Sequence, residues 1–336
     1  MSAQKSIRTG FLGVSHPHAG GRANVMGRIP ELELSGFFEP DSEVAASFSH
    51  HYGVHAFDSL DRFFDELNPE LVVIEGRNPF NAQMAMEAAR RKTPMLIEKP
   101  GAHDLETLRA LAQEVERQSV FCQIGYHLRY SPAIAQARAC LESNPLGRIT
   151  TARFHASVMT PWLTDPWFCD PDDRGGLVYL DFCHMLDLLI LFLGRPTESI
   201  GRIRKLEGVP EHIFEDSAAF LFEFGDVLAA GDCCGWEAND WIERWRLELY
   251  GMEGTLEIGM HPPLLKLYRQ EAAGDVPAGW STREHRGFDG EENYRLELKD
   301  IAERLMRDEA PGGATIQEAL TVAEVLEDLY RQNEER

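Results

Sequence analysis

The sequence predicts an α/β protein of two domains, a doubly wound parallel sheet in the first half and an α+β second half built on an antiparallel sheet. Three observations predict it. The chain has 336 residues, and a domain takes about 150. Over residues 7–125 short β-prone runs alternate with amphipathic helical patterns, the mark of βαβ units whose sheet is covered on both faces. Beyond residue 147, runs alternate apolar and polar residues by twos, as strands with one buried face do.

In the first half, strands are expected at 7–13, 32–38, 71–75, 95–98 and 121–125, with a short one near 55–57. Helices are expected between them near 19–26, 42–51, 60–67, 81–91 and 105–118, each with one apolar stripe. Six strands joined by short connections match a Rossmann-type sheet. A further helix is expected over 131–142, and the turn formers Ser143-Asn144-Pro145-Leu146-Gly147 follow it. Later strands are expected at 151–158, 218–224, 245–250 and 255–258, punctuated by Gly225-Asp226 and by the glycines of 251–254. Helical pattern returns at 294–307 and 316–332, on either side of the breaker Ala310-Pro311-Gly312-Gly313. The domains are therefore drawn at 1–130 and 131–336, with the C-terminal helices free to pack back on the first.

Composition narrows the function classes. Lys and Arg number 33 against 55 Asp and Glu, a formal charge of -22 that repels nucleic acid and anionic membrane surfaces. Cys122, Cys140, Cys169, Cys183, Cys233 and Cys234 show no C-x-x-C pair and are too sparse for a disulfide scaffold, so a reducing cytoplasm is expected. The first ten residues lack the apolar run of a signal peptide. The longest apolar stretch, 177–193, is interrupted by Asp181, His184 and Asp187, which reads as a buried helix carrying a polar site rather than a membrane span.

Several motifs carry chemistry. In Gly10-Phe11-Leu12-Gly13-Val14-Ser15-His16-Pro17-His18-Ala19 an apolar strand runs into a tight turn and a helix, the setting in which a helix N-terminus receives a pyrophosphate. The G-x-G-x-x-G spacing counted from Gly13 puts Ser15 second and His18 third, so the fingerprint is degenerate, and an ordinary βα turn stays open as a reading. Glu39 closes the second strand, where a carboxylate accepts hydrogen bonds from ribose hydroxyls and repels a 2′-phosphate; it argues for NAD over NADP. Lys99 in Glu98-Lys99-Pro100 stands at the carboxyl end of a buried strand, where open α/β sheets present ligand-binding groups. Asp181 and His184, three apart in a helix, share a face, and a histidine held by a carboxylate can take a hydroxyl proton. Trp162, Asp165, Trp167 and Phe168 suit a carbohydrate ring, or equally a core. His16, His18, His127 and His184 show no paired ligand spacing, so no metal is expected. Cys183 points about 100° away from His184 on a helix and reads as packing.

Together these segments resemble the Gfo/Idh/MocA family, named for glucose-fructose oxidoreductase, inositol dehydrogenase and a rhizopine catabolism protein. The resemblance rests on the 13–19 loop, Glu39, the 78–82 turn, Glu98-Lys99-Pro100, Gly125-Tyr126-His127-Leu128-Arg129, and Gly175-Gly176 leading to His184 and Asp187. The Gly251-Met252-Glu253-Gly254 hairpin and the C-terminal helices extend it over nearly the whole chain. It implies a Rossmann domain joined to an open, mostly antiparallel sheet, through which homodimers or homotetramers pair. It also implies an NAD-dependent oxidoreductase acting on a sugar, inositol or related polyol. Carried over residue by residue, it assigns the cofactor to Gly13, Ser15, His16, His18, Glu39, Asn78, Asn81, Glu98, Lys99 and Pro100, the last after an often cis bond. It assigns the reacting hydroxyl to Lys99 and proton transfer to His184, with Asp181 orienting. Tyr126 and Arg129 fall in a segment that faces substrate, and Arg129 serves equally as a structural ion pair.

The chain also departs from the family pattern. The family Asp lies four residues before the His, where this chain has Leu180 and shifts the acid to Asp181. Glu75-Gly76-Arg77 brings a charge where the family has a small residue, Thr and Pro; Ser15 replaces a glycine, and Asn81 stands where the family often has His. The departures at Ser15, Arg77 and Leu180 keep a non-catalytic NAD-binding sensor or scaffold open as an alternative, and NAD-assisted glycoside cleavage is a second.

Overall fold

A computed structural model describes residues 6–158, 175–208, 214–236, 245–272, 277–285 and 288–334. Two compact units emerge, Met1–His127 with Asp289–Leu320, and Leu128–Phe288 with Thr321–Arg336.

The first unit is the expected doubly wound sheet. β1 (Ile7–Leu12), β2 (Leu32–Phe38), β3 (Ala56–Phe57), β4 (Leu71–Ile74), β5 (Met95–Ile97) and β6 (Cys122–Ile124) run parallel, and β15 (Ala314–Thr315) adds an antiparallel edge to β6. The order β15-β6-β5-β4-β1-β2-β3 reverses direction between β1 and β4, the topological switch point. Every residue of β4 (Leu-Val-Val-Ile) is fully buried, because both faces of the sheet are covered, and this is why the run is continuous rather than alternating.

Helices α1 (His18–Met26), α2 (Ser42–Tyr52), α4 (Asn78–Arg90) and α5 (Leu105–Gln118) fill the crossovers; α3 (Leu60–Arg62) continues as a π turn over Phe63–Leu67. A single helix was expected at 60–67; the wider turn brings both Phe63 and Phe64 inside. Local capping chemistry sets the starts of α2 and α5: Asp41 accepts from the backbone N–H of Glu43 and Val44, and Asp104 accepts from that of Thr107. Helix α8 (Glu291–Arg307) packs on α1 through Tyr294, Leu298, Ile301 and Ala302.

The second unit is an open eight-stranded sheet in the order β14-β13-β12-β11-β7-β10-β9-β8. Its strands are β7 (Ile149–Ser157), β8 (Glu198–Arg204), β9 (Ser217–Phe224), β10 (Val227–Cys234), β11 (Arg246–Gly251), β12 (Gly254–Met260), β13 (Pro263–Arg269) and β14 (Gly279–Glu284). All neighbours pair antiparallel except β7 and β10, which run parallel. Helices α6 (Pro132–Glu142), α7 (Cys183–Leu193) and α9 (Ile316–Glu334) complete the elements. Phe182 stacks on Phe220 at 4.2 Å and 15°, binding the start of α7 to the sheet.

Four strands of this sheet, and β15 of the first, had no counterpart in the sequence reading. β8 and β14 are edge strands with exposed polar residues, and β13 carries only half an alternation. β10 is rich in small residues; a side chain at Gly231 would collide with the Phe154 carbonyl, so the glycine that weakens the strand signal is what lets β7 and β10 lie together. Among the described residues no helix is long and apolar enough to cross a membrane.

Candidate active site

The cofactor loop starts where β1 ends. Gly13 has φ +74°, a left-handed conformation that glycine adopts at no steric cost, and a Cβ there would strike the backbone of Gly76. Two loops at the switch point thus meet backbone to backbone. Glu39, buried at the end of β2, accepts from the Val14 N–H at 2.7 Å and the Asp41 N–H at 3.1 Å. It pins the glycine turn, and each carboxylate oxygen keeps a further lone pair for a ligand hydroxyl. Ser15 is half-buried and His16 is buried. The His18 ring, 25% exposed, begins α1, whose N-terminus has no side-chain cap.

Asn78 and Asn81 lie buried in the first turn of α4, another helix start without a side-chain cap. Asn81 is fully buried, yet neither its Oδ1 nor its Nδ2 has a hydrogen-bond partner. A buried amide left so costs about 1–3 kcal/mol per group, and its donor and acceptor together suit a ligand carrying both. Arg77 precedes this helix in extended conformation and is half-buried.

Glu98, Lys99 and Pro100 follow β5, all buried, and the Lys99–Pro100 bond is cis. Lys99 Nζ lies 3.8 Å from Glu98 Oε1, which also meets His18 Nδ1 at 3.1 Å. On the other oxygen, Arg22 donates from Nη1 at 2.7 Å. Arg22 is the centre of an arrangement absent from the sequence reading. Fully buried, it bonds Glu75 through Nη1 and Glu297 of α8 at 2.8 Å through Nη2, and its guanidinium lies over the Tyr294 ring.

A signal for it existed. Ala19, Arg22, Ala23 and Met26 form the buried stripe of α1, and Tyr294, Glu297, Leu298 and Ile301 that of α8, so each helix sets one charge among apolar positions. Neither helix alone says that the two charges meet.

Burial opposes the Arg22 charge, and Glu75, Glu297 and Glu98 outweigh it. Burial pushes Glu75 well above the usual carboxylate range and Glu297 above it, both against the pull of Arg22. Glu98 goes the other way: burial opposes its charge, while His18, His16 and Arg22 hold it well below that range. Burial also lowers both imidazoles, His16 the further, with Glu98 pulling back. At neutral pH the result is an ionised Glu98 flanked by Arg22 and Lys99, with neutral imidazoles beside it. Donor atoms of His16, His18 and Glu98 lie within 4.8 Å of one another, a cluster that the sequence spacing concealed. They are engaged already, His16 Nδ1 by the His18 N–H and Glu98 by His18 and Arg22.

In the second unit, Val178–Phe182 forms a π turn that leads into α7. Asp181 lies on that turn and is half-buried; His184 lies on the first turn of α7, buried, 6.1 Å edge-on to the Trp245 ring. Asp181, in the π turn, and His184, in α7, stand three residues apart across the join of the two elements. Arg129 forms an ion pair in this unit. Its Nε and Nη2 donate to Asp187 of α7 at 2.8 and 2.6 Å in a buried, bidentate pair. Tyr126 is buried after β6. Trp162, Asp165, Trp167, Phe168 and Cys169 lie outside the described residues; the other five cysteines are free thiols.

Comparison with known proteins agrees with this architecture. The GFO/IDH/MocA oxidoreductase family with NAD-binding Rossmann fold matches residues 7–126, and the family's C-terminal domain matches 134–257. The chain is 24% identical over 319 residues to scyllo-inositol 2-dehydrogenase (NAD(+)) of Bacillus subtilis, covering 92% of this chain and 89% of that protein. It is 24% identical over 316 residues to inositol 2-dehydrogenase of Rubrobacter xylanophilus, covering 91% and 84%. A solved levoglucosan dehydrogenase in complex with NADH and levoglucosan shares the fold at TM-score 0.87 and 16% identity, covering 98% of each chain. By the order of its motifs, its two sheets and these matches across both halves, the chain belongs to the GFO/IDH/MocA oxidoreductase family.

Proposed function

We propose that this protein is an NAD-dependent oxidoreductase that moves a hydride between nicotinamide and a hydroxyl-bearing carbon of a sugar, inositol or related polyol. The observation that carries the reading is Lys99, whose Nζ is buried 3.8 Å from an ionised Glu98 at the carboxyl edge of the parallel sheet. The residues present fit a dinucleotide. The Gly13 turn admits close backbone approach, Glu39 presents a carboxylate to ribose hydroxyls and disfavours a 2′-phosphate, and Asn81 holds an unsatisfied donor and acceptor. Ser15, His16 and His18 line the same turn, with Asn78, Glu98 and Pro100 flanking it. NAD, when bound, supplies the hydride acceptor.

The chain's own residues do the rest. Lys99 donates a hydrogen bond to the reacting oxygen and stabilises charge there as the hydroxyl proton leaves. His184 takes that proton, Asp181 orients the imidazole, and Tyr126, Trp162 and Trp167 contact the substrate. The bond between Arg129 and Asp187 gives Arg129 a positioning role, fixing α7 and with it His184. The reading also places the protein in a reducing cytoplasm, which free thiols fit, as a homodimer or homotetramer paired through its sheet.

The test is calorimetric titration with NAD and NADP, followed by a panel of inositols and sugars added to the holoprotein while NADH absorbance is recorded. NAD binding in preference to NADP, with NADH appearing, is expected. Lys99→Ala should still bind NAD and lose about 10²–10⁴-fold in turnover. Sugar release without net NADH would indicate transient oxidation during glycoside cleavage, and failure to bind either dinucleotide would overturn the proposal.

A further inference from the structure

We propose that the second unit carries a binding site for a small organic anion in the cavity between α6 and strands β13 and β14. It is independent of the dehydrogenase reading.

The cavity has a volume of 410 Å³, within the range of small-molecule pockets. Its floor follows from strand register. Leu265 pairs with Arg283, Leu267 with Ser281 and Arg269 with Gly279, so Leu265, Leu267 and Arg269 share one face with Ser281 and Arg283. The two guanidinium-bearing positions therefore stand at opposite ends of an apolar strip, four residues apart along β13, or about 13 Å. Helix α6 supplies the facing wall with Gln136 and the half-buried Cys140.

The charges on this strip are what call for a ligand. In a chain with 33 basic and 55 acidic residues, a cation ordinarily finds a carboxylate, as Arg22, Arg62, Arg91, Arg117, Arg129 and Arg304 do here. Arg269 and Arg283 form no ion pair and no side-chain hydrogen bond among the described residues. Arg269 Nε is buried without a partner, and so is Gln136 Oε1. An unsatisfied buried guanidinium N–H is costly, and a carboxylate or phosphate matches its fork. Leu265 and Leu267 would receive the carbon body that carries the anionic group. Short dicarboxylates and sugar phosphates share this chemistry.

The full-length protein is titrated calorimetrically at fixed ionic strength with adipate, glucose 6-phosphate and inorganic phosphate. The expected result is saturable binding of one of the two organic anions, weakened about tenfold by Arg269→Gln or Arg283→Gln and lost in the double variant. Which anion wins assigns dicarboxylates or sugar phosphates as the class. The same ligand should slow alkylation of Cys140 but not of the half-buried Cys234, read by peptide mass mapping. No saturable binding, binding matched by inorganic phosphate, or binding unchanged in the double variant would overturn the proposal. If the double variant fails to fold, Ala139→Phe fills the cavity without changing its charge, and binding that survives in it overturns the proposal equally.

Discussion

Arg22→Met removes a fully buried guanidinium from between Glu75, Glu98 and Glu297 while keeping side-chain length and helix propensity. Removing one partner of a buried ionic cluster costs about 3–5 kcal/mol, because the remaining charge is left desolvated and unpaired. Three carboxylates do not triple that figure. Glu75 and Glu297 already lie above the usual carboxylate range and take up protons, which leaves the ionised Glu98 as the main orphan. For a unit of this size the loss corresponds to a fall of about 6–20 °C in melting temperature.

The sign of its pH dependence follows from linkage. Without Arg22 the buried carboxylates bind protons more tightly in the folded than in the unfolded state, so the variant gains stability as pH falls toward the ordinary carboxylate value. The gain is up to about 1.4 kcal/mol per pH unit for each such proton, and the deficit against wild type should shrink between pH 8 and pH 5. Hydrogen exchange at the amides of α1 and α8 reads the first unit. All six tryptophans, Trp162, Trp167, Trp236, Trp241, Trp245 and Trp280, lie outside the segments 1–127 and 289–320 that make up the first unit, so their fluorescence is an internal control that should not move. A deficit under about 1 kcal/mol at pH 7, or one that widens on acidification, would refute the account of Arg22 as the charge that balances this cluster.

Gly13→Ala forces a side chain onto a left-handed backbone and against Gly76; strain and overpacking together should cost about 2–5 kcal/mol and weaken NAD binding, measured by thermal melting and calorimetry. Asp187→Asn leaves Arg129 buried without its counter-charge, with an expected loss of about 3–5 kcal/mol in the second unit, visible in tryptophan fluorescence. His16 and His18 are held neutral in the fold, so their contribution is fully present above the ordinary imidazole value and is lost as pH falls below it toward their lowered values. His16→Asn with His18→Asn should flatten the stability profile between pH 6.5 and pH 5; an unchanged slope would place the acid sensitivity elsewhere.

By itself the sequence determined the elements whose physics is local. Short β-prone runs marked β1, β2 and β4, period-3.6 patterning marked α5, Asp41 and Asp104 set helix starts, and the alternation of strand and helix left one kind of sheet possible. It also marked Gly13, Glu39 and Lys99, since each stands at the end of a strand and such ends converge at the switch point of any doubly wound fold. Strands with little side-chain signal, such as β8 and β10, exist because neighbours supply their hydrogen bonds, and that is not written in their own residues.

Only the tertiary structure decided which charges meet. Arg22 and Glu297 are 275 positions apart and Arg129 and Asp187 are 58, so no periodicity links them. Packing alone brings each pair to hydrogen-bond distance and leaves Glu98 ionised beside Lys99. The sequence named the groups; the low dielectric around them, created by burial, sets their protonation and hence the chemistry open to them.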